Sequence, residues 1–296
     1  MNGLEVVGYS ERGMINALCY EMKYSRDGLK LLREFLRLCT FPHSSPDFDH
    51  FRFAKFFVEQ SFSDFGDLDL LILLQGDCNQ AVCIEAKVKT FQSNWSVQLE
   101  WAKFKDAQRY SECRSNLFVQ LYRKMRLLRK LQNASAEIEG DILSRRWSLG
   151  RNAIVQRAAE ELSEHCSKTW LVALVPDEKD GAEMIFRTAV SCPPQGFPDW
   201  SHATMGYLTW QQLEAHCREH AEDWPNTLAN FEFNRGQIFG ATSAAPPAPG
   251  SRVIWNSSRG PQVVVVKNRG RHNTRVRFAD GHDEKVPNAQ LFRTQS

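Results

Sequence analysis

The stretch "FGDLDLLILLQGDCNQAVCIEAKVK", Phe65 to Lys89, holds two apolar runs separated by a polar turn. In the second run the alternation is strict: Val82, Ile84, Ala86 and Val88 point one way, and Cys83, Glu85, Lys87 and Lys89 the other. That pattern predicts a strand with one apolar and one charged face. The earlier run, "DLLILL", reads as a partner strand led by Asp69, with Asp67 on the same face as Asp69. A glutamate and a lysine on one side of an interior strand are costly to bury unless they pair with each other or with another charge. A divalent cation meets that cost, because Asp69 and Glu85 together offer hard oxygen ligands suited to Mg²⁺ or Mn²⁺, with positions left for water and phosphate. Lys87 would then stand beside the attacking water, to orient it, help deprotonate it or neutralise charge on a phosphorane-like transition state. The competing reading is a plain Glu–Lys pair on a half-exposed strand.

Outward from this stretch, the spacing predicts helices at both sides. Ser10 can cap a helix with Met14, Ala17, Leu18 and Met22 on one face and Glu11 in its first turn. A second helix is expected from about Asp27 to Cys39. "DFDHFRFAKFFVEQS" reads as a third helix packed by phenylalanines, although its aromatic density also permits a strand. Helical pattern returns from Trp95 to about Tyr110, over 116–132 and over 152–166. "TWLVALV" (169–175) reads as a buried strand and "EMIFRTAV" (183–190) as a weaker one. Thr209 followed by Gln212 is a capping-box signature for a late helix. Together these predict an α/β fold, a mixed central sheet flanked by helices, over residues 1–239.

"GATSAAPPAPGS" (240–251) is a linker by composition. Beyond it, "RVIWNSS", "PQVVVVKN", "TRVRFADG" and "EKVPNAQLF" are short β runs broken by turn signals, so residues 252–296 are expected to form a small all-β barrel. The overall charge of +2 hides an asymmetry. Residues 251–296 carry nine Lys/Arg against three acids, +6, leaving 28 basic against 32 acidic residues, −4, in the rest. A basic module on a mildly acidic body suits an anionic polymer, and from charge alone a solvated basic surface is the equal alternative. The basic residues of 116–132, Arg123, Lys124 and Arg126 among them, either line a DNA path or form a solvated helix face, and Lys267, Arg269, Arg271, Arg275 and Arg277 are the matching candidates in the tail.

Other classes are weaker. No apolar run reaches the roughly 18–20 residues that span a bilayer. The polar start and eight scattered cysteines without a CxxC pair fit a cytosolic protein with reduced thiols. The best local zinc candidate, "HCREH" (216–220), is explained without a metal as an exposed helix end. No Ser-His-Asp order and no Gly-rich phosphate loop is present.

The order of an acid on an N-terminal helix, an Asp on a strand, (D/E)xK on the next strand and then a helix with glutamine resembles the PD-(D/E)XK nuclease superfamily. The motif reads "LD" at Leu68-Asp69 and "EAK" at Glu85-Ala86-Lys87. The resemblance implies a restriction-endonuclease-like core, with Asp69 and Glu85 as metal ligands, Lys87 as the catalytic lysine and Glu11 as the helical acid near the metal. Gln98 matches the glutamine of the following helix, with Gln108 as the competing candidate. Leu68 replaces the motif's proline, and Asp67 leaves the aspartate assignment between two residues; Asp69, which abuts the apolar strand, is preferred. The tail is similar to Tudor-like or chromo-like barrels, which bind nucleic acid or protein peptides. The implied function is a Mg²⁺-dependent deoxyribonuclease in defence, restriction or repair, favouring duplex DNA. A homodimer would supply two active sites for two strands, and docking of a protein partner is the competing use of the barrel. The alternative is a catalytically silent adaptor that keeps the fold.

Overall fold

A computed structural model of the chain describes residues 7–293, apart from 90–94, 107–114, 133–147, 166, 177–178, 193–196, 198–199, 240–248, 251, 258–259, 270–272 and 288–290. Most of the linker and Gln108 lie outside the described residues, as does Arg271.

The chain opens with two amphipathic helices, α1 (Ser10–Tyr24) and α2 (Gly28–Leu38). Three antiparallel strands follow: β1 (Phe51–Ser61), β2 (Asp67–Gly76) and β3 (Gln80–Ala86). Helices α3 (Val97–Lys105), α4 (Leu117–Gln132) and α5 (Ala153–Ser163) lead to β4 (Thr169–Val175), which lies parallel to β3. A short α6 (Lys179–Met184) and a π-turn at Ile185–Ala189 then lead to β5 (Met205–Thr209), parallel to β4. Helices α7 (Trp210–Glu219) and α8 (Pro225–Ile238) close this part, whose sheet order is β1-β2-β3-β4-β5.

Helices cover both faces of the sheet, which is why β2 to β4 read as continuous apolar runs. Leu70, Ile72, Leu74, Val82, Ile84 and Ala86 pack with α1, α2, α7 and α8. Leu71, Leu73, Ala81 and Cys83 pack with α3, α4 and α5 on the other side. By alternation Asp69, Glu85 and Lys87 fall on that second side, facing α4.

Two predicted elements are corrected. The expected third helix is the edge strand β1: its phenylalanines recur at near-helical spacing, but pairing with β2 from Ser61↔Asp67 to Phe51↔Gly76 decides the conformation. "EMIFRTAV" is helix and π-turn, because β4 and the parallel β5 need a crossover between them. The strand there is the five-residue "MGYLT". Helix α8 is likewise an element that the apolar spacing does not predict. The capping box is present: the Thr209 hydroxyl accepts from the Gln212 amide at 3.1 Å and Gln212 Oε1 accepts from the Thr209 amide at 3.2 Å.

Residues 252–293 form a separate antiparallel sheet of β6 (Arg252–Ser257), β7 (Gly260–Arg269), β8 (Asn273–Arg277), β9 (Asp283–Pro287) and β10 (Leu291–Arg293), in the order β10-β6-β7-β8-β9. Its core is Val253, Val264, Val266, Val276, Phe278 and Val286. The expected barrel is not closed among the described residues, where β9 and β10 are edges rather than partners. No described helix is long and apolar enough to cross a membrane.

Candidate active site

Asp69, Glu85 and Lys87 come together where the β2–β3 ladder ends. Its last pair is Leu70↔Ile84, and one further step sets Asp69 across from Glu85. Beyond that point the backbone bonds diverge. The Lys87 amide donates to the Leu174 carbonyl of β4 at 2.8 Å, so the preceding amide, that of Ala86, points toward β2. There it meets a side chain instead of a carbonyl: Asp69 Oδ2 accepts from the Ala86 amide at 2.7 Å. The aspartate is thereby fixed against the strand that carries Glu85 and Lys87.

Lys87 Nζ donates to Glu85 Oε1 at 2.7 Å and to the Ala86 carbonyl at 3.0 Å. Glu85 is almost wholly buried, at 1 % exposure, and its Oε2 has no hydrogen-bond partner. An unsatisfied carboxylate oxygen in a buried site is costly, and a cation or a water would relieve it. Burial, then repulsion from Glu85, pushes the Asp69 carboxyl up to about 7, against the pull of Lys87 and the Ala86 amide. Burial alone would depress the Lys87 ammonium, but Glu85 and Asp69 outweigh it and raise its pKa, with Glu11 acting in the same direction. Three carboxylates, Glu85, Asp69 and Glu11, therefore favour the charged form of the Lys87 ammonium.

Glu11, in the first turn of α1, acts on Asp69 and Lys87 through its charge, more weakly than the groups on β2 and β3. Ser10, expected as the cap, is instead the first helical residue, at φ +63°, and its hydroxyl donates to the Glu11 carboxylate. The helix start is held by α8, where Asn234 Oδ1 accepts from the Ser10 amide at 2.7 Å and Asn230 Oδ1 from the Gly8 amide at 2.8 Å. Trp210 secures the far end of β3: its indole N–H donates to the Lys87 carbonyl at 2.8 Å. These supports lie 123 to 224 residues away in sequence, so no local motif could reveal them.

The other predicted residues are placed as follows. Asp67 is exposed at the start of β2, opposite Ser61. Gln98 is exposed on α3, whose cap is Ser96. On α4, Arg123 is half-buried while Lys124 and Arg126 are buried, so the helix does not present all three to a groove. Lys124 Nζ donates to the Phe65 carbonyl at 2.8 Å, in the turn that begins β2. In the tail Lys267, Arg275 and Arg277 are exposed, and Arg277 pairs with Asp283 at 2.6 Å; the Arg269 side chain lies outside the described residues.

Among the described residues no three His, Cys, Asp or Glu side chains converge closely enough to hold a metal ion by themselves. That applies to His216 and His220, whose rings are 4.7 Å apart, as well as to the acids. Mg²⁺ does not require three, since it keeps several waters and is commonly bound by one or two carboxylates. Asp69 and Glu85, with the bare Oε2, fit that donor set. No family model matches the chain, and no curated protein matches it.

Proposed function

We propose that the chain is a metal-dependent nuclease that hydrolyses phosphodiester bonds in DNA at Asp69, Glu85 and Lys87. The observation that carries this is the Glu85–Lys87 pair, closed by a 2.7 Å hydrogen bond, with Glu85 Oε2 left bare beside Asp69. Asp69 and Glu85 would hold Mg²⁺ or Mn²⁺, which supplies Lewis-acid polarisation of the phosphate when bound. Lys87 is kept as an ammonium by its carboxylate neighbours. In that state it donates hydrogen bonds: it orients the attacking water and neutralises charge building on the phosphate oxygens. Glu11 adds negative charge at the rim of the same cluster. The restriction-endonuclease-like likeness rests on the "EAK" strand and the mixed sheet that carries it. The tail sheet, with exposed Lys267 and Arg275, supplies phosphate contacts away from the chemistry and holds duplex DNA.

The test incubates supercoiled, linear and single-stranded DNA, and RNA, with the purified protein in Mg²⁺ or EDTA, beside Glu85→Ala and Lys87→Ala. Cleavage of DNA in Mg²⁺ by the wild type alone is expected. Cleavage that survives EDTA or both substitutions would overturn the site, and a wild type that binds DNA without cutting it would favour the silent adaptor.

A further inference from the structure

We propose that Arg123 and Lys124 of α4, which meet at the Phe65–Gly66 turn, form the subsite that takes a backbone phosphate of the nucleic acid beside Glu85. The identity of the anion rests on the nuclease reading. The existence of the subsite rests on the turn itself.

Gly66 has φ +78°, and a β-carbon on it would stand 3.2 Å from Lys124 Nζ and 3.6 Å from Arg123 Nη1. These two cationic nitrogens are the nearest neighbours of that position, followed by the Arg123 stem at 3.8 Å. Both cations therefore stand against the turn at the point where it has no side chain. Neither is in an ion pair among the described residues, and the Arg123 Nε is buried without a partner. Lys124 is 1 % exposed and its ammonium donates to the Phe65 carbonyl. Burial pushes the Lys124 ammonium down, no carboxylate hydrogen-bonds to it, and an arriving anion would help to hold its charge. The turn leads directly into β2, whose Asp69 stands one step beyond the Leu70↔Ile84 pair and so across from Glu85, and Glu85 is the charge that most opposes the depression of Lys124 by burial. A phosphodiester suits these donors: the guanidinium offers a planar fork to its oxygens and the ammonium a point charge from below. The remaining basic residues of α4 play no part in this, since Arg129 and Lys130 are exposed at its far end.

The test reads binding without turnover. Anisotropy of a short labelled DNA duplex is measured in EDTA over a range of salt with the full chain, Arg123→Ala, Lys124→Met and Lys124→Arg. Arg123→Ala and Lys124→Met should each weaken binding about tenfold at low salt and lower the salt slope by about one, while Lys124→Arg stays within about twofold of wild type. Arg123→Ala with unchanged affinity and slope would overturn the subsite, as would Lys124→Arg failing as badly as Lys124→Met. Arg123 is half-buried, so its variant still decides the matter if Lys124→Met does not fold. A wild type that binds in the expected pattern yet leaves DNA uncut in Mg²⁺ would sink the nuclease reading and uphold the subsite.

Discussion

The two sheets of the molecule treat charge in opposite ways. In the five-stranded mixed sheet, Glu85 is buried among apolar residues with Lys87 against it. Among the described residues of the C-terminal sheet the buried side chains are five valines, a phenylalanine and Thr274, and Arg252, Lys267, Arg275 and Arg277 are all exposed. Buried charge is held in fixed geometry at low dielectric, where it can perform chemistry; exposed charge is screened by salt and gives affinity without geometry. On that contrast, the proposed reaction would belong to the first sheet and the proposed attachment to the second.

The largest effect should separate those roles. Glu85→Ala or Lys87→Ala is expected to lower single-turnover cleavage by about a thousandfold or more, on the scale of losing a charge-stabilising group. Arg275→Ala is the matching substitution in the tail, and it should leave the rate at saturating DNA unchanged. A tail substitution that slowed the bound complex as much as Glu85→Ala would erase the distinction.

Stability provides the next test. Trp210 is fully buried and ties its ring to the Lys87 carbonyl, so Trp210→Ala should cost about 3–5 kcal/mol in denaturant unfolding and also lower activity in the folded protein. Val264→Ala, in the tail core, should cost about 1–3 kcal/mol and leave the cleavage rate of bound DNA intact. Equal losses of activity from the two would contradict the division of roles.

Asp69 makes the contrast dependent on pH. Its carboxyl is raised to about 7 in the folded chain and returns to about 3.9 on unfolding, so the folded state binds more protons between those values. Its ionisation thus destabilises the metal-free protein progressively from about pH 4 to pH 7, and fully above. Asp69→Asn should stabilise the metal-free chain at pH 8 by about 1–3 kcal/mol, after allowance for partial exposure, and by little at pH 4. Melting curves at the two pH values check it; a gain of the same size at both would show that the carboxylate is not the cause.

The smallest effects lie in the tail. Lys267→Ala and Arg275→Ala should each lower the salt slope of duplex binding by about one with modest loss of affinity. Deleting residues 240–296 should flatten it further. Unchanged slopes would turn the tail from nucleic acid toward a protein partner.

Much of the proposed cluster is legible in the sequence because strand alternation is a local signal: the period of two in Ala81–Lys89 sets Glu85 and Lys87 on one face, and adjacency of the runs brings Asp69 beside them. The π-turn at Ile185–Ala189 and strand β1 mislead for the opposite reason, since their apolar spacing is ambiguous and tertiary pairing decides it. Lys124 illustrates the limit. Its sequence neighbours mark it as one of five cations on a helix, and only the packing of α4 against the Phe65 carbonyl, 59 residues away, makes it buried and directed at Gly66. The tail's strands are readable from its valine runs, whereas closure into a barrel depends on edge pairing that composition does not encode.

Everything assigned to the first sheet depends on Asp69 and Glu85 forming a seat for a divalent ion. Anomalous diffraction from crystals grown with Mn²⁺ tests this directly. A manganese peak within coordinating distance of both carboxylates, absent in Glu85→Gln, is the expected result. A fully occupied manganese site elsewhere, with none between Asp69 and Glu85, would contradict it.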